Sequence, residues 1–109
     1  MIINIVGYAK EALNELFKNY DLTLKYVRIY LKEIAWHGPV FNVALDEPTS
    51  NDVVFNVDDI HIIINEDLCT KFNIVNIYYR SNLSYSDFYI TTDLVWKDEY
   101  HYTNWGKPW

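Results

Sequence analysis

Residues 35–52, AWHGPVFNVALDEPTSND, decide how the rest of the 109-residue chain is read. They hold two of the three prolines, Pro39 and Pro48, and one of the three glycines, Gly38. Trp36-His37-Gly38-Pro39 punctuates the end of a strand-like run. Residues 40–45 resume as a strand, with Phe41, Val43 and Leu45 on one face. Residues 46–52 then form an acidic turn. Pro48 biases Glu47 away from helix, and Asp46, Ser50, Asn51 and Asp52 suit side chain-to-backbone turn bonds.

Upstream, residues 24–34 alternate. Val27, Ile29 and Leu31 point one way, and Arg28, Tyr30 and Lys32 the other, the pattern of a half-buried strand. Before it, residues 8–19 repeat Ala9, Leu13, Leu16 and Phe17, then Tyr20, at helical spacing, with Lys10, Glu11, Glu15 and Lys18 opposite. Residues 2–6 form a short apolar strand. Downstream, residues 53–57 and 60–65 read as a hairpin around Asp58-Asp59, because aspartate tolerates positive φ better than most residues. A short helix over 65–72 follows, with Asn65 as its N-cap and Glu66 and Asp67 in its first turn. Residues 74–79 and 88–92 are strands flanking a polar turn at 81–87. The fold class is mainly β (α+β), with one long N-terminal helix and one short helix.

The length fits one domain, and the 50% hydrophobic fraction supports a packed core without disulfides. A net charge of −6 with scattered Lys and Arg speaks against phosphate-directed binding of nucleic acid and against a membrane-surface role. No apolar run approaches the ~20 residues of a membrane helix, and the N-terminus lacks the pattern of a signal peptide. The single cysteine, Cys69, forms no internal disulfide and fits a cytoplasmic location.

The order of elements, with the motif F-x-V-A-L-D-E-P-T-x-x-D-x-V-F-x-V-D-x-I over residues 41–60, resembles the HesB-like family, the A-type carriers of iron–sulfur cluster assembly. The resemblance covers about residues 2–92. It implies a HesB-like two-sheet β domain over residues 1–92 and an aromatic tail over 93–109, packed on the domain or on a dimer partner. Members that carry clusters use three cysteines, one in a C-S-G turn after the long strand and two in a C-x-C near the C-terminus. Here the turn reads Trp36-His37-Gly38, keeping the glycine without the thiol. The tail Lys97-Asp98-Glu99-Tyr100-His101-Tyr102 resembles a K-D-E-C-x-C ending, which sets Tyr100 and Tyr102 at the other two ligand positions.

An iron–sulfur cluster is therefore implied by the family while its ligands are missing, and no cofactor is expected. Tryptophan cannot ligate iron, and tyrosine, with an ordinary pKa near 10, is a reluctant ligand at neutral pH. The resemblance then implies a non-enzymatic protein of iron–sulfur biogenesis with a degenerate ligand site. It would work by protein contacts, with assembly components or with a second copy. The alternative is a mononuclear metal site made by His37 and His101 with Asp98 or Glu99; the plainer reading is two exposed histidines. Cys69 reads as a small apolar residue on the short helix, and His61 as solvent-facing. The acid pairs Asp46/Glu47, Asp58/Asp59 and Asp98/Glu99 read as turn residues rather than acid–base pairs. Trp36, Tyr100, Tyr102, Trp105 and Trp109 could form an aromatic contact surface or simply pack the tail.

Overall fold

In the computed structural model the described residues are 1–19, 24–82, 84 and 86–94. Tyr20, and every residue of the tail beyond Leu94, lie outside them. The elements run β1 (Ile2–Ile5), α1 (Ala9–Asn19), β2 (Tyr26–Ala35), β3 (Gly38–Asp46), β4 (Asp52–Val57), β5 (Ile60–Asn65), α2 (Glu66–Cys69), β6 (Ile74–Ser81) and β7 (Ser86–Thr92). Two sheets result. One has the order β1-β6-β7 and the other β3-β2-β5-β4. The mainly β architecture with two helices is the one the sequence predicts.

Gly7, at φ +58, turns the chain from β1 into α1. A side chain resists that left-handed backbone, and glycine does not. The helix then buries Ala9, Ala12 and Leu13 and leaves Glu11 and Lys18 at the ends where the helix dipole favours them. Its apolar stripe joins Val27 and Ile29 of β2, Phe41 and Val43 of β3, Ile60, Ile62 and Ile64 of β5, and Val75 and Ile77 of β6 in one core. Strand β5 is buried on both sides, because Ile63 on its other face is also fully covered. A central strand flanked by parallel β2 and antiparallel β4 explains that run of isoleucines.

Two local readings hold for a visible reason. Asp58 and Asp59 have φ of 49° and 66°, positive at both central positions, as a two-residue hairpin turn with right-handed strand twist requires. Asn65 caps α2, its side-chain oxygen accepting from Asp67 N at 2.9 Å. The short helix ends sooner than residue 72, however. Thr70 caps it, its hydroxyl donating to the Asp67 carbonyl at 2.7 Å, so that Phe72 turns back into the core and meets Phe41 edge-on at 5.5 Å. The β6–β7 pair is longer than its apolar residues suggest. Polar Ser81 and Ser86 extend it by a hydroxyl–hydroxyl bond of 2.9 Å.

Strand β2 departs from simple alternation. Leu31 pairs with Phe41 and Glu33 with Val40, so one extra residue bulges between them. Val27 and Ile29 are buried as expected, but Leu31 at the bulge is 40% exposed. A bulge of this kind bends a strand locally and strengthens its twist. Past it the ribbon runs on to the turn at residues 36 and 37.

Candidate functional site

The ribbon tip is built by register. Ala35 pairs with Gly38, leaving Trp36 and His37 as a two-residue connection. Gly38 takes φ +124, where a side chain is strained and glycine is not. The shape of the turn thus depends on the glycine and tolerates different residues at 36 and 37. Trp36 is 89% exposed, and its ring meets the His37 ring edge-on, with 5.3 Å between centroids. No thiol stands at this tip.

His37 also borders a groove of about 660 Å³ that separates β3 of one sheet from β7 of the other. Lys32 and Glu33 lie on one bank, and Arg80 and Asp87 on the other. Arg80 is held flat over the Tyr89 ring at 4.5 Å, a cation–π contact that fixes it at the rim.

The other end of β3 is closed by charge. Arg28 projects from β2 between Ala44 and Ile63. Its Nε donates to Asp46 Oδ2 at 2.7 Å, and its two terminal nitrogens donate to the two oxygens of Asp52, also at 2.7 Å. The Asp52 side chain is 1% exposed and that of Arg28 17%. Asp52 Oδ2 accepts two further bonds, from Thr49 N at 2.7 Å and Thr49 Oγ1 at 3.1 Å. Asp46 Oδ1 accepts from Glu47 N at 2.8 Å. These bonds, the one from Arg28 foremost, hold both carboxyls below the usual carboxylate range. Its bond to Asp52 likewise raises the Arg28 pKa. Asp46 and Asp52 make turn bonds as the sequence suggests, but the sequence reading missed Arg28. The available signal was an arginine on the outward face of β2; its meeting with acids 18 and 24 residues away depends on strand register. The clamp fastens the turn.

The remaining candidates are scattered. His61 is exposed and lies against the Tyr26 ring at 5.5 Å. Cys69 is half-buried on α2, its thiol directed at the Ile64 carbonyl at 3.8 Å. Burial pushes that thiol's pKa up. Asp58 and Asp59 form the hairpin turn. Among the described residues no three His, Cys, Asp or Glu side chains are grouped so as to hold a metal ion. Tyr100, His101, Tyr102, Asp98, Glu99, Trp105 and Trp109 lie outside the described residues, so of the proposed aromatic and metal-ligating sets only Trp36 and His37 are placed. No helix among the described residues is long and apolar enough to cross a membrane.

No family model and no curated protein sequence matches the chain. Solved structures do. IscA, crystallised with a 2Fe–2S cluster, superposes with a TM-score of 0.70 at 14% identity, over 84% of this chain and 86% of its own. SufA of Escherichia coli, involved in biosynthesis of iron–sulfur clusters, superposes with a TM-score of 0.70 at 14% identity, over 87% of this chain and 83% of its own. The chain therefore has the HesB-like fold of the A-type carriers.

Proposed function

We propose that this chain is a HesB-like protein of iron–sulfur biogenesis that holds no cluster and acts through protein contacts, as a scaffold or interaction protein without enzymatic activity. The observation that carries this reading is Trp36. It stands 89% exposed at the ribbon tip where the resemblance sets a thiolate. A cluster fits the rest of the chain no better. Iron–sulfur clusters are held by several thiolates, and the chain has one cysteine. That thiol, Cys69, is half-buried and raised in pKa by burial, which disfavours the thiolate. The bare ring at position 36 is instead suited to contact, because large aromatic side chains anchor many protein interfaces. Iron–sulfur assembly components are the partners this reading favours.

Anaerobic reconstitution with ferrous iron and sulfide tests it. The expected outcome is protein free of visible absorption after desalting; a stable cluster chromophore overturns the reading. One observation favours a second reading. Exposed His37 borders the groove reached by Leu94, from which the chain continues toward His101. A single metal ion between the two histidines and a carboxylate would then be bound. Titration with zinc distinguishes it: affinity lost in His37→Ala supports a mononuclear site, and unchanged affinity removes it.

A further inference from the structure

Strand β4 is one edge of the four-stranded sheet among the described residues. Its residues 53–57 read VVFNV, without charge or proline, and its register with β5 runs unbroken from Asp52–Asn65 to Val57–Ile60. Folded proteins blunt a sheet edge with a charged residue, a proline, a bulge or a very short strand. The other edges have such a device: β3 carries Pro39 and lies opposite a bulge, β1 has four residues, and β7 carries Asp87. The middle of β4 has none. Val53 is 37% exposed and Val54 50%. Successive side chains on a strand point to opposite faces, so solvent reaches β4 from both sides of the sheet here. Strand β1 of the other sheet comes near it but pairs with β6. Among the described residues no backbone hydrogen bond joins residues 53–57 to anything but β5.

Charge says what this edge accepts. From residue 33 to residue 70 the chain has eight acidic residues and no lysine or arginine. The rest of the sequence holds the other seven acids and all nine Lys and Arg, so the net charge of −6 comes from the stretch that contains β4. Arg28 compensates Asp46 and Asp52. The exposed acids Asp58 and Asp59 stand at the end of β4. Exposed Glu66 and Asp67 stand at its start, where Asp52 pairs with Asn65 and Glu66 N donates to the Asn51 carbonyl at 2.8 Å. None of these four carboxylates is paired with a described cation. An uncharged, half-exposed strand thus lies between two acidic ends. A second copy suits it poorly. Antiparallel pairing of β4 with itself would bring Asp58 and Asp59 of one copy to the Glu66–Asp67 end of the other, acid against acid.

We propose that the edge of β4 takes up, by strand addition, an extended segment of a partner protein: about six apolar or β-branched residues with lysine or arginine at both ends. The backbone of the segment completes the ladder, its side chains lie beside Val53 and Val54, and its basic ends meet the two acidic ends of β4. The inference rests on the reading of this chain as an interaction protein and names the chemistry of its partner. The cluster question does not enter it.

Titration of the full chain with two synthetic peptides, KKVTVTVKK and EEVTVTVEE, followed by amide chemical shifts, tests it. The expected result is saturable binding of the basic-flanked peptide, about tenfold or more tighter than that of the acid-flanked one and weakened by added salt. On binding, hydrogen exchange at residues 53–57 should slow by about tenfold while β3 and β7 are unchanged. Asp58→Asn with Asp59→Asn keeps residue types that tolerate the positive φ of the turn and should weaken the basic peptide several-fold. Val54→Lys, a charge at an exposed edge position, should abolish its binding. No shift at up to about 1 mM peptide overturns the proposal. So does equal binding of both peptides, since charge then does not select the occupant, and so does protection that falls outside β4. A chain that dimerises in sedimentation and turns monomeric in Val54→Lys also overturns it, because the occupant is then a second copy. None of these outcomes involves iron, so failure here is distinct from failure of the cluster-free reading, which reconstitution decides.

Discussion

The two ends of the β2–β3 ribbon are opposites. At one end Arg28, Asp46, Thr49 and Asp52 lock residues 46–52 by charge-assisted bonds around a carboxylate that is 1% exposed. At the other end Trp36 and His37 sit past a bulge, their side chains without a hydrogen bond among the described residues, and Trp36 is 89% exposed. The motif that suggested the family, A-L-D-E-P-T-x-x-D, belongs to the locked end. Its aspartates are the partners of Arg28, and its threonine donates to Asp52. They fasten the fold, while the ribbon tip carries Trp36 and His37 in a turn that Gly38 shapes. A clamp of this kind constrains several residues at once; a glycine-defined turn constrains only its glycine.

The largest expected effect is at the locked end. Arg28→Met leaves Asp52 buried without its countercharge and should cost about 3–5 kcal/mol of stability, read by urea unfolding. A cost below about 1 kcal/mol would show that Thr49 alone satisfies that carboxylate. Acid should expose the same clamp more gradually. The folded-state pKa values of Asp52 and Asp46 are lowered, so their contribution is present above the unfolded value near 3.9 and is lost as pH falls through it toward the folded values. Unfolding midpoints measured from pH 6 down to about pH 2 should fall most steeply below roughly pH 4 in the native chain. The same series for Asp52→Asn should be flatter, and equal slopes would remove the clamp from the account. The smallest effect is at the free end. Trp36→Ser should change stability by no more than about 0.5 kcal/mol. A larger loss would mean that the ring is packed rather than presented, and would undo the contrast.

The local elements were legible because each rests on neighbours in sequence. The period of Ala9, Leu13 and Phe17 marks α1, the paired aspartates mark the β4–β5 turn, and Asn65 marks the start of α2. The bulge at Leu31–Glu33 was not legible, since alternation continues through it in the sequence and only pairing with Phe41 and Val40 shows the extra residue. Nor was the end of α2 at Cys69, which is set by the need to bring Phe72 onto Phe41. The solved structures agree with the resemblance at the level of the fold, at 14% identity.

By itself the sequence determined the strands, the helices, their order, the glycine turn after the long strand and the absence of more than one thiol. Those follow from side-chain periodicity, backbone preference and composition, which are properties of short stretches. Tertiary structure alone decided that Arg28 meets Asp46 and Asp52, that Trp36 is bare, and that β3 and β7 line one groove reached by Leu94. Each of these depends on which strands lie side by side and in what register. That is settled by burying the apolar faces of two sheets against one helix, a collective choice that no local stretch encodes.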